Sequence, residues 1–138
     1  MQNAALEHIG LVVKDVDKTI ELWTKLFGIS NWTRREVDTT DASGQQRKAR
    51  FANGTLGPLR IELLQPVAGM KMQSDFLETH GEGMHHLGFS AEDVEGTVKD
   101  LTANGARVLN TTPGRLAFLE IGDKGGVIVE FVQRQAQR

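Results

Sequence analysis

The chain contains no cysteine and no tyrosine, and only three prolines. Without cysteine there can be no disulfide framework, no thiolate zinc site, no thiol nucleophile and no redox switch. An excess of positive charge is also missing. Sixteen Lys and Arg stand against eighteen Asp and Glu, a formal charge of −2, which argues against a surface built to neutralise nucleic-acid phosphates. Long apolar runs are absent too. The longest is three or four residues, far short of a membrane-spanning helix. The segment Met1 to Glu7 has neither the basic start nor the apolar stretch of a secretory signal, so a cytoplasmic protein is expected. What the chain does have is glycine, 15 of its 138 residues, with 39% of residues apolar. That pairing reads as many turns around a packed core, not as disorder. The length fits one domain.

An internal repeat organises these residues. His8-Ile9-Gly10-Leu11 recurs as His86-Leu87-Gly88-Phe89 at an offset of 78. At the same offset Asp15-Val16-Asp17 matches Asp93-Val94-Glu95, and Thr19-Ile20 matches Thr97-Val98. Ile61-Glu62-Leu63-Leu64 matches Val129-Glu130-Phe131-Val132 at an offset of 68. Several matches in one order point to a duplication. Each copy opens with a β-branched strand, His8–Val13 or His86–Phe89. An Asp N-cap and an apolar helical face follow: Ile20, Trp23, Leu26 and Phe27 in the first copy, and Val94, Val98 and Leu101 in the second. Gly28 and Asn104-Gly105 close the helices. Arg50-Phe51, Leu59–Leu64, Leu116–Ile121 and Val127–Val132 read as further strands, and a short helix is expected near 74–79. The polar stretch 38–46 reads as a loop or hairpin tip. The expected fold is therefore α+β: two βαβββ modules, about 5–66 and 83–134, within one domain spanning 1–138. Two such modules side by side can form a curved, incomplete barrel.

Four residues with chemistry fall at repeat-equivalent places. His8 and His86 begin the first strand of each copy. Glu62 and Glu130 lie in the last strand, each between apolar neighbours. A carboxylate in an apolar strand must be neutralised, paired or bound to a cation. Two imidazoles and two carboxylates suit a divalent first-row metal, and the set does not choose among Co, Ni, Mn, Zn and Fe. Strand alternation puts His85 on the opposite face from His86, in a structural or supporting place, and His80 is expected at the surface or a pocket rim. Trp23 is expected in the helix core, while Trp32 fits either core or pocket. Residues 34–60 hold six basic residues against three acidic. Such a strand is either a protected edge or a rim that binds carboxylate or phosphate, through Arg47, Lys48 and Arg50, with Lys124 joining.

The chain resembles the vicinal oxygen chelate superfamily (glyoxalase I, extradiol dioxygenases, antibiotic-resistance proteins), and within it the methylmalonyl-CoA epimerases most. The resemblance rests on His8 through Asp17, Ile61-Glu62-Leu63-Leu64-Gln65-Pro66, Phe76-Leu77-Glu78, Gly81-Glu82-Gly83-Met84-His85-His86-Leu87-Gly88-Phe89 and Gly125 through Glu130. It implies a glyoxalase-like fold and a metal held by His8, Glu62, His86 and Glu130. It further implies a metal-dependent epimerase or isomerase of an acyl-CoA that works through an enolate, and a homodimer. A glyoxalase-type lyase or isomerase on a small 2-oxo compound is the alternative. A ring-cleaving dioxygenase and a metal-free drug-binding protein follow behind. Where the epimerases carry a Pro-Glu-Gln-Gly type segment, this chain has Asp41-Ala42-Ser43-Gly44. The carboxylates open to proton transfer are therefore Glu130, Asp41 and Glu36.

Overall fold

The computed structural model describes residues 4–135. Its elements run β1 (Ala4–Val12), α1 (Val16–Phe27), β2 (Thr33–Thr40), β3 (Gln46–Leu56), β4 (Leu59–Ala68), α2 (Lys71–His80), β5 (Gly83–Ala91), α3 (Val94–Ala103), β6 (Arg107–Thr112), β7 (Leu116–Ile121) and β8 (Val127–Gln133). This is an α+β chain in which the series βαβββ occurs twice, with α2 between. None of the helices described is long and apolar enough to cross a membrane. Two compact units are present. One is Ile9–His85. The other joins the chain up to His8 with the chain from His86 onward.

In the unit Ile9–His85 the strands run β2-β3-β4-β1. β3 is antiparallel to both β2 and β4, with Leu63 opposite Ala52 and Glu62 opposite Asn53. Val13, Val16, Ile20, Ala52, Ile61 and Leu63 form the core beneath α1, with Ile9, Leu11, Trp23 and Trp32 packed against it. A second cluster, Ala49, Phe51, Leu64 and Met70 with Val37, lies on the other face of these strands. In the other unit the order is β5-β8-β7-β6, β5 and β8 being parallel. There Ala91, Val94, Ala117, Leu119, Val129 and Phe131 form the core.

Both units anchor the start of their helix in the same way. Asp15 accepts a hydrogen bond from the Lys18 N–H, and Asp93 one from the Gly96 N–H, each at 3.0 Å. The Thr19 hydroxyl donates to the Asp15 carbonyl, and that of Thr97 to the Asp93 carbonyl, at 2.8 Å. A glutamine from the last strand then accepts the first helical N–H: Gln65 from Val16 and Gln133 from Val94, both at 3.0 Å. These bonds satisfy amides that the helix itself leaves unpaired. Gln65 and Gln133 each follow a strand glutamate by three residues, a further match between the two copies.

The structure also alters several expectations. Leu26 and Phe27 do not join the buried face of α1, being 61% and 52% exposed. Only Val16 and Ile20 of that helix are buried, and Phe27 instead packs edge-on against Trp23, 5.1 Å between ring centres. α2 starts at Lys71, earlier than expected, because its cap is Met70, which offers no side-chain hydrogen bond and is held by burial. The polar strand containing Arg47, Lys48 and Arg50 is not an edge. β3 lies between β2 and β4, and β2 is the outer strand. Gly54 sits inside β3, where Ile29 and the Trp32 ring close over it.

Candidate metal centre

Three of the four expected ligands meet within one unit. His8 comes from β1, His86 from β5 and Glu130 from β8. The His8 and His86 Nε2 atoms are 3.2 Å apart. His8 Nε2 lies 3.9 Å from Glu130 Oε1, and His86 Nε2 lies 3.4 Å from Glu130 Oε2. All three residues are buried, at 1%, 3% and 8% exposure respectively. Ligands bound about 2.0–2.2 Å from one first-row ion stand roughly 2.8–3.6 Å from each other, so two of these separations fit directly. The third needs a small swing of the Glu130 carboxylate. Two imidazole nitrogens and a carboxylate oxygen turned inward, away from water, form a donor set suited to a divalent cation.

The surroundings fix these side chains. Gly88 lies opposite Glu130 in the parallel β5–β8 register. Its missing side chain makes room for the His8 ring: a Cβ there would fall 2.0 Å from His8 Cε1 and 2.2 Å from Nε2. The His8 and His86 rings meet edge to face at 5.3 Å. Phe118, across from Glu130 on β7, packs edge-on against His86 at 5.2 Å. On its other side, His8 Nδ1 faces the Glu7 carboxylate at 3.7 Å. A carboxylate beyond a ligating imidazole helps to set the ring's orientation and raises its basicity.

Glu62 sits on β4 in the other unit, opposite Asn53 and on the face of the sheet away from α1. His85 is buried, and loss of solvent pushes its imidazole down to about 4. Its ring meets Phe76 edge-on at 4.9 Å, while His80 stacks on Phe76 at 4.5 Å, exposed as expected. Trp23 and Trp32 both pack against the core beneath α1.

Of the remaining expected residues, Glu36, Lys48 and Arg50 take the opposite face of the sheet from Glu62. The β2–β3–β4 register pairs Glu36 with Arg50 and Arg50 with Gln65, which puts them on the α1 face. Glu36 lies 3.4 Å from Lys48 and 3.9 Å from Arg50, and Lys48 also reaches Asp38 at 3.7 Å. Asp41 organises the β2–β3 turn. One of its oxygens accepts the Ser43 N–H and hydroxyl and the Gln45 N–H, at 2.9, 2.6 and 2.9 Å. Those bonds, the Ser43 hydroxyl first, hold its carboxyl below the usual range. Arg47 shares the Glu62 face and points its Nη2 at the Met70 sulfur, 3.9 Å away. Lys124 is in the β7–β8 turn, exposed.

Residues 7–133 match the family model described as the glyoxalase/bleomycin resistance protein/dioxygenase superfamily. The chain belongs to that superfamily. Among superfamily relatives, the mitochondrial methylmalonyl-CoA epimerase of Dictyostelium discoideum is 24% identical, over 94% of this chain and 78% of its own. A solved methylmalonyl-CoA epimerase in complex with methylmalonyl-CoA and NH4+ is 27% identical, with a TM-score of 0.69 over 98% of this chain and 97% of its own. A variant of the Streptomyces coelicolor methylmalonyl-CoA epimerase, solved in complex with 2-nitronate-propionyl-CoA, is 26% identical, with a TM-score of 0.69 over 95% and 94%. The α+β architecture described above is thus the glyoxalase-like fold of this superfamily.

Proposed function

We propose that the chain is a divalent-metal-dependent epimerase or isomerase of an acyl-CoA thioester, with methylmalonyl-CoA as the first substrate to test. The observation that carries this reading is the convergence of His8, His86 and Glu130 in a buried place. The fourth ligand in this reading is Glu62, the repeat counterpart of Glu130. When bound, a divalent ion supplies Lewis-acid stabilisation, worth several kcal/mol, for the negative charge that develops as a proton leaves carbon next to a thioester carbonyl.

The chain's own residues do the rest. His8 and His86 offer imidazole donors whose orientation Gly88 and Phe118 constrain. Glu130 is buried beside Phe118, and the low water access there preserves the strength of charge interactions. Proton transfer is assigned to a Glu130 carboxylate oxygen. Asp41 and Glu36 are less suited, because Asp41 commits one carboxylate oxygen to three bonds within its own turn and Glu36 pairs with Lys48 and Arg50. The relatives named above, two of them solved with acyl-CoA ligands, support an acyl-CoA over a small 2-oxo compound.

The test is hydrogen exchange at the α-carbon of methylmalonyl-CoA in D2O, with protein stripped by chelator and reloaded with Co2+. Solvent deuterium should enter the substrate with loaded protein and not with stripped protein. Loaded protein that leaves the α-proton in place would overturn the epimerase reading and favour the 2-oxo alternative.

A further inference from the structure

The unit Ile9–His85 sorts its cations by face. On the α1 side each cation of β2 and β3 has an acidic partner: Arg34 with Asp17 at 3.1 Å, Lys48 with Glu36 and Asp38, and Arg50 with Glu36. On the other side the register sets Arg35 beside Phe51, Phe51 beside Leu64, and Asn53 beside Glu62. The Arg35 guanidinium lies over the Phe51 ring, 4.3 Å from its centre, and Arg47 rests on the Met70 sulfur. Among the described residues neither Arg35 nor Arg47 has a carboxylate within ion-pair distance. Both are held by apolar or soft groups, which leaves their donors free for an outside acceptor. On the same line, Asn53 Oδ1 is buried and takes no hydrogen bond from the protein. A buried acceptor left unpaired costs stability, so a ligand donor there is a consistent explanation.

We infer that Arg35 and Arg47 bind the anionic groups of the substrate, which lies along the Asn53–Phe51–Arg47 side of β3. This rests on the acyl-CoA reading and gives it residues. At about 3.4 Å per strand residue, Arg35, beside Phe51, lies about 7 Å along the strand from the Asn53–Glu62 pair, and Arg47 about 20 Å. A single molecule reaches both only if it is long and carries negative charge far from its reacting end. A carrier thioester has that form and a small 2-oxo acid does not.

The experiment is calorimetric titration of stripped protein with coenzyme A and with methylmalonyl-CoA, comparing wild type with R35Q, R47Q and R34Q. Arg34 is the control, being next in sequence but on the other face and already paired. Methylmalonyl-CoA affinity should fall about tenfold in R35Q and in R47Q and stay within about twofold in R34Q, with unfolding midpoints unchanged. With coenzyme A alone, a persisting R35Q loss assigns its anion to the carrier phosphates, and a vanishing loss assigns it to the acyl carboxylate. Equal losses in all three variants, or none in R35Q and R47Q, would overturn the assignment. Because stripped protein is used, these losses without any D2O exchange would retain the arginine assignment while removing the enolate chemistry. Exchange with unaltered affinities would do the reverse.

Discussion

Replacing Gly88 with alanine is the sharpest perturbation the metal centre offers. The new methyl carbon would fall 2.0 Å from His8 Cε1, 2.2 Å from Nε2 and 2.4 Å from Nδ1. Carbon contacts are comfortable near 3.5 Å, so the ring must retreat by about 1.5 Å. It is 1% exposed and packed against His86, so retreat means repacking, at about 1–3 kcal/mol of fold stability. A metal site tolerates only about 0.2 Å of error in ligand distance. Moving His8 by several times that amount removes a ligand in effect, and metal affinity should drop at least about tenfold. The assay is Co2+ titration of stripped protein, paired with thermal unfolding of the metal-free form. Adding His8→Ala completes a double-mutant cycle: once the ring is gone, G88A should cost almost nothing. If G88A binds Co2+ within twofold of wild type, or costs as much in the His8→Ala background, the reasoning about the ring's place is refuted.

Two further predictions concern stability and order. Gly54→Ala would bring a methyl carbon 2.8 Å from Ile29 Cγ2 and from the Trp32 ring, so it should destabilise the fold by about 1–3 kcal/mol and shift tryptophan fluorescence; an unchanged unfolding curve would contradict the packing described. Glu120 on β7 pairs with Arg107 and accepts the Gly125 N–H at 3.2 Å, and the Arg107 contact, first among the causes, holds its carboxyl below the usual range. A depressed carboxyl stabilises the fold above its unfolded-state value, near pH 4.5, and that contribution disappears as pH falls through the lower folded value. Amide exchange at Gly125, normalised for the intrinsic pH dependence, should therefore lose protection on acidification, and Glu120→Gln should show the loss already at neutral pH.

The repeat made most of this architecture legible. His-x-Gly strands, Asp caps and apolar strands around each Glu marked β1, α1, β4, β5, α3 and β8, because those elements are patterned by burial. β2 and β6 gave no such pattern. Thr33–Thr40 is largely exposed, and Arg107–Thr112 has exposed Val108 and Leu109, so neither shows a buried face for alternation to reveal. The basic strand could be read for charge but not for direction. Which face Lys48 and Arg50 take depends on their register against Glu36 and Gln65, a long-range property. The role of Arg35 is likewise a property of the fold, in which it stacks on Phe51 while its neighbour Arg34 pairs with Asp17. Gly10 and Gly88 are visible as repeated residues, but the space Gly88 reserves for His8 exists only in the folded chain.

The central claim is that these residues hold one divalent ion. Its most direct test is equilibrium metal loading of stripped protein with Co2+, Ni2+, Mn2+ or Zn2+, followed by elemental analysis of wild type and of His8→Ala, Glu62→Ala, His86→Ala and Glu130→Ala. The account predicts one tightly held ion per wild-type chain and substantial loss in every variant. A wild-type chain that retains none of these ions, or retention undiminished by the His86→Ala change, would contradict it.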